Sequence, residues 1–402
     1  MKTLLITGGA GFIGSNLIRY LLEAGDVPER IVVLDLLTYA GHLENLRGVL
    51  TPERIYVPKE SLRLHEVPFR VRRERLYSGE ISLPFSAYNK IESFGFRWID
   101  ELDELDELLQ EDGLHFVLGD INDGRLLAHL FPHVDSVIHL AAETHVDRSI
   151  MDPSAFIRTD VHGTFSLLEA ARRHWKNFKK KRFLHVSTDE VYGEIKSGHA
   201  SENYPLMPRN PYSSSKAAAD MLARAYHTTY GLPVVVARPS NNYGPYQHPE
   251  KFIPLMITNA IEGRALPVYG NGRQRRDWLF VKDTARALYL LLKKGRPGEA
   301  YNISGSCEME NIEVVDKILG LLGKPRDLIK FVKDRPGHDR RYAMDSSRIR
   351  EELGFVPEWD FDRGLRVTVE FYRNNSEWWK RIKREDEETR KFLESWYSSL
   401  EF

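Results

Sequence analysis

The chain has 402 residues, room for two or three domains of ordinary size or one large α/β domain with additions. Apolar residues make up 42% and charged residues 29%, which excludes a disordered or collagen-like chain. Lys plus Arg number 57 against 58 Asp plus Glu, a net charge of −1, so no basic surplus draws the chain to nucleic acid or an anionic membrane. Cys307 is the single cysteine, which excludes an intrachain disulfide framework and argues against a cysteine-based metal site.

The apolar run before Gly8 and Gly9 is too short for the centre of a secretion signal, and no stretch approaches the roughly 20 apolar residues of a membrane span, so a soluble, cytoplasmic protein is expected. Thr3–Thr7 reads as a buried parallel strand ending in glycines. Residues 11–24 carry helical spacing, with Phe12, Ile13, Leu17, Leu21 and Leu22 on the apolar side. A second buried strand, 31–34, ends at Asp35. Apolar runs at 116–118, 136–140, 183–187 and 234–237 alternate with helical patterns, which predicts an α/β fold, a doubly wound parallel sheet covered on both faces.

One interval is out of proportion. Asp35 to Asp120 spans 85 residues, where a βαβ unit takes about 30, so an insertion is expected after the second strand at about 51–112. It is basic over 70–75 and ends in WIDELDELDELL, where Ile99, Leu102, Leu105, Leu108 and Leu109 would form an apolar helical face. If 42–50 is the helix descending from the second strand, the insertion emerges away from the ligand edge of the sheet and serves assembly or partner contact. If 98–110 is the crossover helix instead, the insertion hangs at that edge. TYAGHLENL runs on from the preceding loop without a break, which favours the first arrangement. Beyond about residue 240 Pro and Gly become frequent and the rhythm loosens. The expected domains are therefore 1–238, interrupted by the insertion, and a smaller one over 239–375, with about 272–300 returning to the first. A charged helix over 376–402, carrying Phe392, Leu393 and Trp396, is expected to dock rather than to form a site.

Gly8-Gly9-Ala10-Gly11-Phe12-Ile13-Gly14 follows a strand and opens a helix. Glycines there allow a tight turn and bring backbone N–H groups to a pyrophosphate at the positive helix end. Asp35, 21 residues after Gly14, can accept hydrogen bonds from ribose hydroxyls, and no arginine follows Leu36 and Leu37 to meet a 2′-phosphate, so the pattern favours NAD over NADP. Tyr212-Ser213-Ser214-Ser215-Lys216 sets a phenol and an ammonium on one helix face, where the cation favours a phenolate that otherwise forms at about pH 10. Alone, such a pair is most often a solvated helix face; after an NAD-binding half it is a candidate base with its partner. Ser187-Thr188-Asp189-Glu190 lies at the carboxyl end of a strand, where open α/β sheets bind ligands, and the bland alternative is a helix N-cap with an acidic first turn.

Taken together, GGAGFIG, HLAAETHVDRSI, STDEVYG, YSSSK, RPSNNYGPYQHPEKFIP, PVYGNGRQRRDW and DRPGHDRRYAMD resemble the extended short-chain dehydrogenase/reductases, a Rossmann-type family with a smaller C-terminal substrate domain. Within it they are similar to the dTDP-glucose 4,6-dehydratases, over residues 1–50 and about 114–370. STDEVYG discriminates, because related sugar-nucleotide epimerases and decarboxylases lack its Asp-Glu pair. The resemblance implies cofactor contacts from Gly8, Gly11, Phe12, Ile13, Gly14, Asp35, Leu36, Leu37, Thr38, Asp120, Ile121, Ala141, Ala142, Thr159, Tyr212, Lys216 and Asn242. It implies substrate contacts from Thr144, Thr188, Asn241, Lys251, Phe252, Pro267, Val268, Tyr269, Arg276, Asn311, Asp334, Arg335 and His338. Arg276, Lys251 and Arg335 are cations suited to a diphosphate, although each alone reads as a surface charge. His338 alone reads as structural, and Asp147 with Arg148 as a mutual pair. Asp160 stands where the family usually has Asn, and Lys282 and Thr284 where a Glu and a His are common; none is expected to touch the chemistry. No metal is expected.

The implied activity is that of an NAD-dependent lyase acting on dTDP-glucose or a related NDP-hexose, with Thr188, Asp189, Glu190, Tyr212 and Lys216 as its catalytic residues. Tyr212, assisted by Lys216, would take the O4 proton while hydride leaves C4, and Thr188 would hold O4. Glu190 would then remove the C5 proton and Asp189 protonate the departing C6 hydroxyl, before hydride returns to C6 and leaves a 4-keto-6-deoxy sugar. Adjacent carboxyls can divide such roles because environment separates their pKa values. NAD is expected to stay tightly bound, and a homodimer is expected, with no nucleic-acid or membrane partner. The competing readings are a 4-epimerase or decarboxylase on the same scaffold, and a catalytically silent NAD-binding regulator.

Overall fold

Residues 1–25, 27–59, 90–91, 94–385 and 389–392 are described by a computed structural model of the chain. The apolar runs become strands β1 (Thr3–Thr7), β2 (Arg30–Asp35), β3 (Ile55–Pro58), β4 (Arg97–Ile99), β5 (Gly113–Leu118), β6 (Ser136–His139), β7 (Arg182–Val186) and β8 (Val234–Pro239). After them come β9 (Asn241–Tyr243), β10 (Leu266–Tyr269), β11 (Arg275–Phe280), β12 (Ala300–Ile303), β13 (Glu308–Glu310) and β14 (Ile329–Val332). Nine strands form one sheet in the order β12-β8-β7-β6-β1-β2-β5-β3-β4, with every pair parallel. Successive side chains of a strand face opposite ways, so Leu4, Ile6 and Val33 enter one core layer while Leu5, Val32 and Leu34 enter the other. Burial on both faces is why these segments read as unbroken apolar runs.

Helix α1 (Phe12–Ala24) and the helix Val281–Lys294 share the first layer, Leu17 and Leu21 of one meeting the side of the core that holds Leu288 and Leu292 of the other. The chain from Val281 thus returns to the large sheet, where β12 pairs with β8, whereas β11 belongs to a separate small sheet with β9 and β13. A third core, around Met256, Ile257, Val315, Ile318, Leu365 and Val369, supports the small sheets. The charged C-terminal helix begins as Ser376–Glu385 and docks by one face: Trp379 is fully buried in that core and Trp378 donates its indole N–H to Asn45 at 3.1 Å. Leu393 and Trp396 lie outside the described residues. No helix among the described residues is long and apolar enough to cross a membrane.

The expected descending helix over 42–50 is corrected. Only the 3₁₀ turn Leu43–Leu46 forms there, and the chain then enters the sheet again as β3. The apolar face expected to start at Ile99 is corrected too: Ile99 closes the short strand β4, and the helix is Asp103–Leu108, with Leu105 buried. β5 inserts between β2 and β3, and its Val117 pairs with both Leu34 and Tyr56. Tyr56 is therefore level with Leu34, and Pro58 leaves the sheet at the same carboxyl edge as Asp35, with β5 between them. The insertion departs at the ligand edge, not away from it. Its basic stretch, 70–75, lies outside the described residues. At its return, Lys90 donates to the carbonyls of Leu37, Thr38 and Gly41, and Ile91 is fully buried against the sheet.

Candidate active site

The carboxyl edge of the sheet opens into a cavity of about 310 Å³, bounded on one side by the glycine turn. Gly8 adopts φ +71°, and a Cβ there would lie 2.7 Å from the Ala141 nitrogen; a Cβ on Gly14 would lie 2.4 Å from the Gly8 carbonyl. Only glycine lets α1 close onto this turn. No side chain caps the N-terminus of α1, and Gly11, Phe12, Ile13 and Gly14 line the cavity. Asp35 accepts from the backbone of Ala10 at 2.9 Å and of Leu37 at 2.8 Å. Burial pushes its carboxyl up, opposed by those two N–H groups and by Lys90. Leu36, Thr38, Asp120, Ile121, Ala141, Ala142, Thr159 and Asn242 line the same cavity. Leu37 does not: its side chain is in the core, at the left-handed φ of +52°.

The opposite wall is built from β7 and the helix Pro211–Tyr230. Thr188 does cap the 3₁₀ turn Asp189–Tyr192, its Oγ1 accepting from the Glu190 nitrogen at 3.3 Å, so the cap and the chemistry-bearing cluster coincide. Asn210 starts the long helix with a capping box, which fixes Tyr212 in its first turn and Lys216 one turn on. Thr188 lies close enough to the Tyr212 phenol to favour its ionised form, and the Lys216 ammonium donates to the Val186 carbonyl at 2.8 Å. Among the described residues, Asp189 Oδ2, Asn241 Oδ1 and the Ser187 and Ser240 hydroxyls are buried at this wall without a hydrogen-bond partner. Such atoms are costly unless a ligand satisfies them.

The two carboxyls differ. Burial pushes Asp189 well above the usual carboxylate range, and the neighbouring Glu190 pushes it further. Burial also raises Glu190, but Arg335, Arg276 and Lys251 pull it back. Tyr212 is raised by burial and then by Glu190 and Asp160, while Lys216 is lowered by burial and held up by Asp160 and Asp220.

Of the expected substrate contacts, Thr144, Thr188, Asn241 and Lys251 line the cavity with the cofactor candidates, and the Lys251 ammonium donates to the Thr144 carbonyl. Arg276, Arg335, Tyr269, Asp334 and His338 form an adjoining group rather than part of that lining. Arg335 and the Tyr269 hydroxyl converge on Asp147 at 3.0 and 2.8 Å, His338 pairs with Asp334 at 2.5 Å, and Arg276 stacks on Tyr342 at 4.2 Å. Asn311 opens the helix Asn311–Leu322 with its Oδ1 buried and unpartnered among the described residues. Phe252 stacks on Trp278, and Pro267 with Val268 runs along β10, where the Val268 side chain is buried in the third core and can offer only backbone.

Asp147 and Arg148 do not pair with each other: Asp147 holds Arg335, and Arg148 holds Glu250 at 3.0 Å. Two of the three departures from the family pattern also reach the site. Asp160 is buried at the π turn Ile157–His162, where it accepts from Ser215 at 2.6 Å and from the Glu143 nitrogen at 2.9 Å, close enough to Lys216 and Tyr212 to shift both. Thr284 hydrogen-bonds Asn242. Tyr342 was not singled out in the sequence, yet its hydroxyl joins Asp339 at 2.9 Å and Glu190 at 3.2 Å; its one signal is membership of DRPGHDRRYAMD. Asp103, Asp106 and His129, the one group of metal-capable side chains found among the described residues, lies outside the cavity lining.

A family model described as GDP-mannose 4,6 dehydratase matches residues 5–64 and 85–368. A dTDP-glucose 4,6-dehydratase of Xanthomonas campestris pv. campestris is 44% identical over 396 residues, covering 94% of this chain and 95% of that one. A dTDP-glucose 4,6-dehydratase of Neisseria meningitidis serogroup B is 43% identical, covering 95% and 96%. The solved structure of DesIV, a dTDP-glucose 4,6-dehydratase from Streptomyces venezuelae with NAD and TYD bound, superimposes with a TM-score of 0.77 at 41% identity, over 95% of this chain and all of that one. With the glycine turn, Tyr212 and the Asp–Glu pair on one cavity, and Lys216 one helical turn behind its lining, the chain belongs to the dTDP-glucose 4,6-dehydratases of the extended short-chain dehydrogenase/reductase family.

Proposed function

We propose that the chain is an NAD-dependent hydro-lyase that converts dTDP-glucose, or a closely related NDP-hexose, to the 4-keto-6-deoxy sugar nucleotide. The observation that carries this reading is the unequal environment of Asp189 and Glu190 at one wall of the cavity. The cavity also fits the cofactor: glycines that admit no Cβ, an uncapped helix N-terminus and a buried Asp35 suit a pyrophosphate and a ribose. NAD, when bound, accepts the hydride from C4 and returns it to C6.

Tyr212 removes the O4 proton, and Thr188, beside the phenol, holds O4. Lys216, tethered to the Val186 carbonyl, keeps a positive charge behind the forming phenolate. A carbonyl at C4 makes the C5 proton removable by a carboxylate. Glu190, whose burial is partly offset by Arg335, Arg276 and Lys251, is the carboxyl that takes that proton, whereas Asp189, deeper and raised further by the neighbouring Glu190, is the one that gives its proton to the C6 hydroxyl as water leaves. A 4-epimerase or decarboxylase needs no acid at C6, and a silent regulator needs neither pair. The adjoining Arg276–Arg335 group suits the diphosphate. Incubation with dTDP-glucose, followed by mass spectrometry for loss of one water, tests the reading; recovery of unchanged sugar or of its C4 epimer refutes it.

The reading includes a homodimer. Met151, Ile157, Phe165 and Met221 are 54%, 55%, 41% and 61% exposed on neighbouring helices, apolar side chains that a second copy would cover. Light scattering that reports a monomer refutes this part.

A further inference from the structure

We propose that Lys90, the residue through which the insertion returns to the sheet, is a positioning residue that sets how tightly the adenosine side of NAD is held. The inference rests on the NAD-binding reading above and adds to it a residue outside the glycine turn and Asp35. The loop after β2 must place Asp35, Leu36, Thr38 and Gly41 on the cavity, yet it turns at Leu37, a branched residue at φ +52°. A Cβ on Gly41 would meet the Asp35 carboxylate at 2.9 Å, so this loop folds directly over the group that receives the ribose.

Within the loop, Leu37 donates to Asp35 at 2.8 Å, Gly41 to Thr38 at 3.2 Å, and the His42 ring bonds the Tyr39 carbonyl at 3.1 Å. Three carbonyls on its inner side, those of Leu37, Thr38 and Gly41, converge on the Lys90 ammonium. An ammonium has three donors and no acceptor, and here one is directed at each carbonyl. Charge-assisted hydrogen bonds are about twice as strong as neutral ones, and a single cation satisfying three backbone acceptors holds the loop as a preorganised wall. Ile91, fully buried against the sheet, fixes where the lysine stands.

The test measures NAD content on purification, and NAD dissociation rate and Kd after stripping and reloading, for wild type, Lys90→Met and Lys90→Arg. The proposal expects Lys90→Met to lose NAD at least tenfold faster and to bind it at least tenfold more weakly, with the defect in Kd rather than in turnover at saturating NAD, and Lys90→Arg to recover most of the affinity. NAD affinity within twofold of wild type in Lys90→Met overturns it. If Lys90→Met fails to fold, Lys90→Leu, which also has no donor, is measured instead, and NAD affinity within twofold of wild type in that variant overturns the proposal equally. A wild-type chain that binds no NAD removes the functional reading itself, and this proposal with it.

Discussion

Replacing Asp160 by Asn isolates one charge in the centre of the site. Asp160 is almost fully buried, and burial raises its pKa from 3.8 to about 6 despite the attraction of Lys216. A carboxyl whose native pKa lies above its unfolded value destabilises the fold once ionised: the penalty is absent below about pH 4, grows through pH 4–6 and is complete above 6. At 1.36 kcal/mol per pKa unit the full penalty is about 3 kcal/mol, of which about half is already present at pH 5. Asn keeps the local bonds, since its carbonyl still accepts from the Glu143 nitrogen while its amide donates to Ser215, whose own hydrogen remains on the Tyr212 carbonyl. The variant should therefore gain about 1.5 kcal/mol more at pH 8 than at pH 5, an extra rise in Tm of about 2 °C for a chain of this length. Calorimetry of both proteins at the two pH values, with NAD saturating, measures it. Losing this negative charge near Tyr212 should also move the acid limb of kcat/KM to lower pH. A Tm difference that is the same at pH 5 and pH 8 refutes the argument.

Glu190→Gln should lower turnover roughly 10²-fold or more while substrate-dependent reduction of bound NAD persists, and near-normal product formation would sink its role as the C5 base. Tyr212→Phe should hold NAD but give no rise in NADH absorbance when substrate is added. Arg238 is fully buried with its guanidinium bonded to Asp220 at 2.8 and 2.9 Å and to the Tyr192 hydroxyl at 2.7 Å, so Arg238→Met should cost about 3–5 kcal/mol by stranding the Asp220 charge. Denaturant unfolding of Asp220→Asn beside it checks that reasoning: a loss below about 1 kcal/mol in both variants would show that the pair carries no such cost.

The local parts of the molecule were legible in the sequence, and the non-local parts were not. β1, α1 and β2 announce themselves because a doubly buried strand must be apolar throughout and a pyrophosphate turn must be glycine. Tyr212 with Lys216, and Asp189 with Glu190, sit within a few residues of each other, so their spacing carried the chemistry. β3 and β4 were missed because IYVP and RWI are runs too short to separate from loop, and their partner β5 arrives only after the insertion. Tyr342 meets Glu190 across 152 positions, and Lys90 reaches Thr38 across 52, distances over which no periodicity survives. Asp160 was expected to stay clear of the chemistry because nothing in FIRTDVHG reveals a π turn that brings its carboxyl near Lys216.

The packing of Val281–Lys294 on α1 also orders events on the ribosome. Leu17, Ile18 and Leu21 leave the exit tunnel with the first strands, but the helix that completes their layer follows about 270 residues later. At about 5–20 residues per second the nascent dinucleotide-binding half spends roughly 15–50 s with that face unfinished. Translation speed and chaperone access are therefore expected to bear on the yield of this protein. A fragment ending after β8 would carry every glycine of the turn and still present an uncovered apolar stripe to its neighbours.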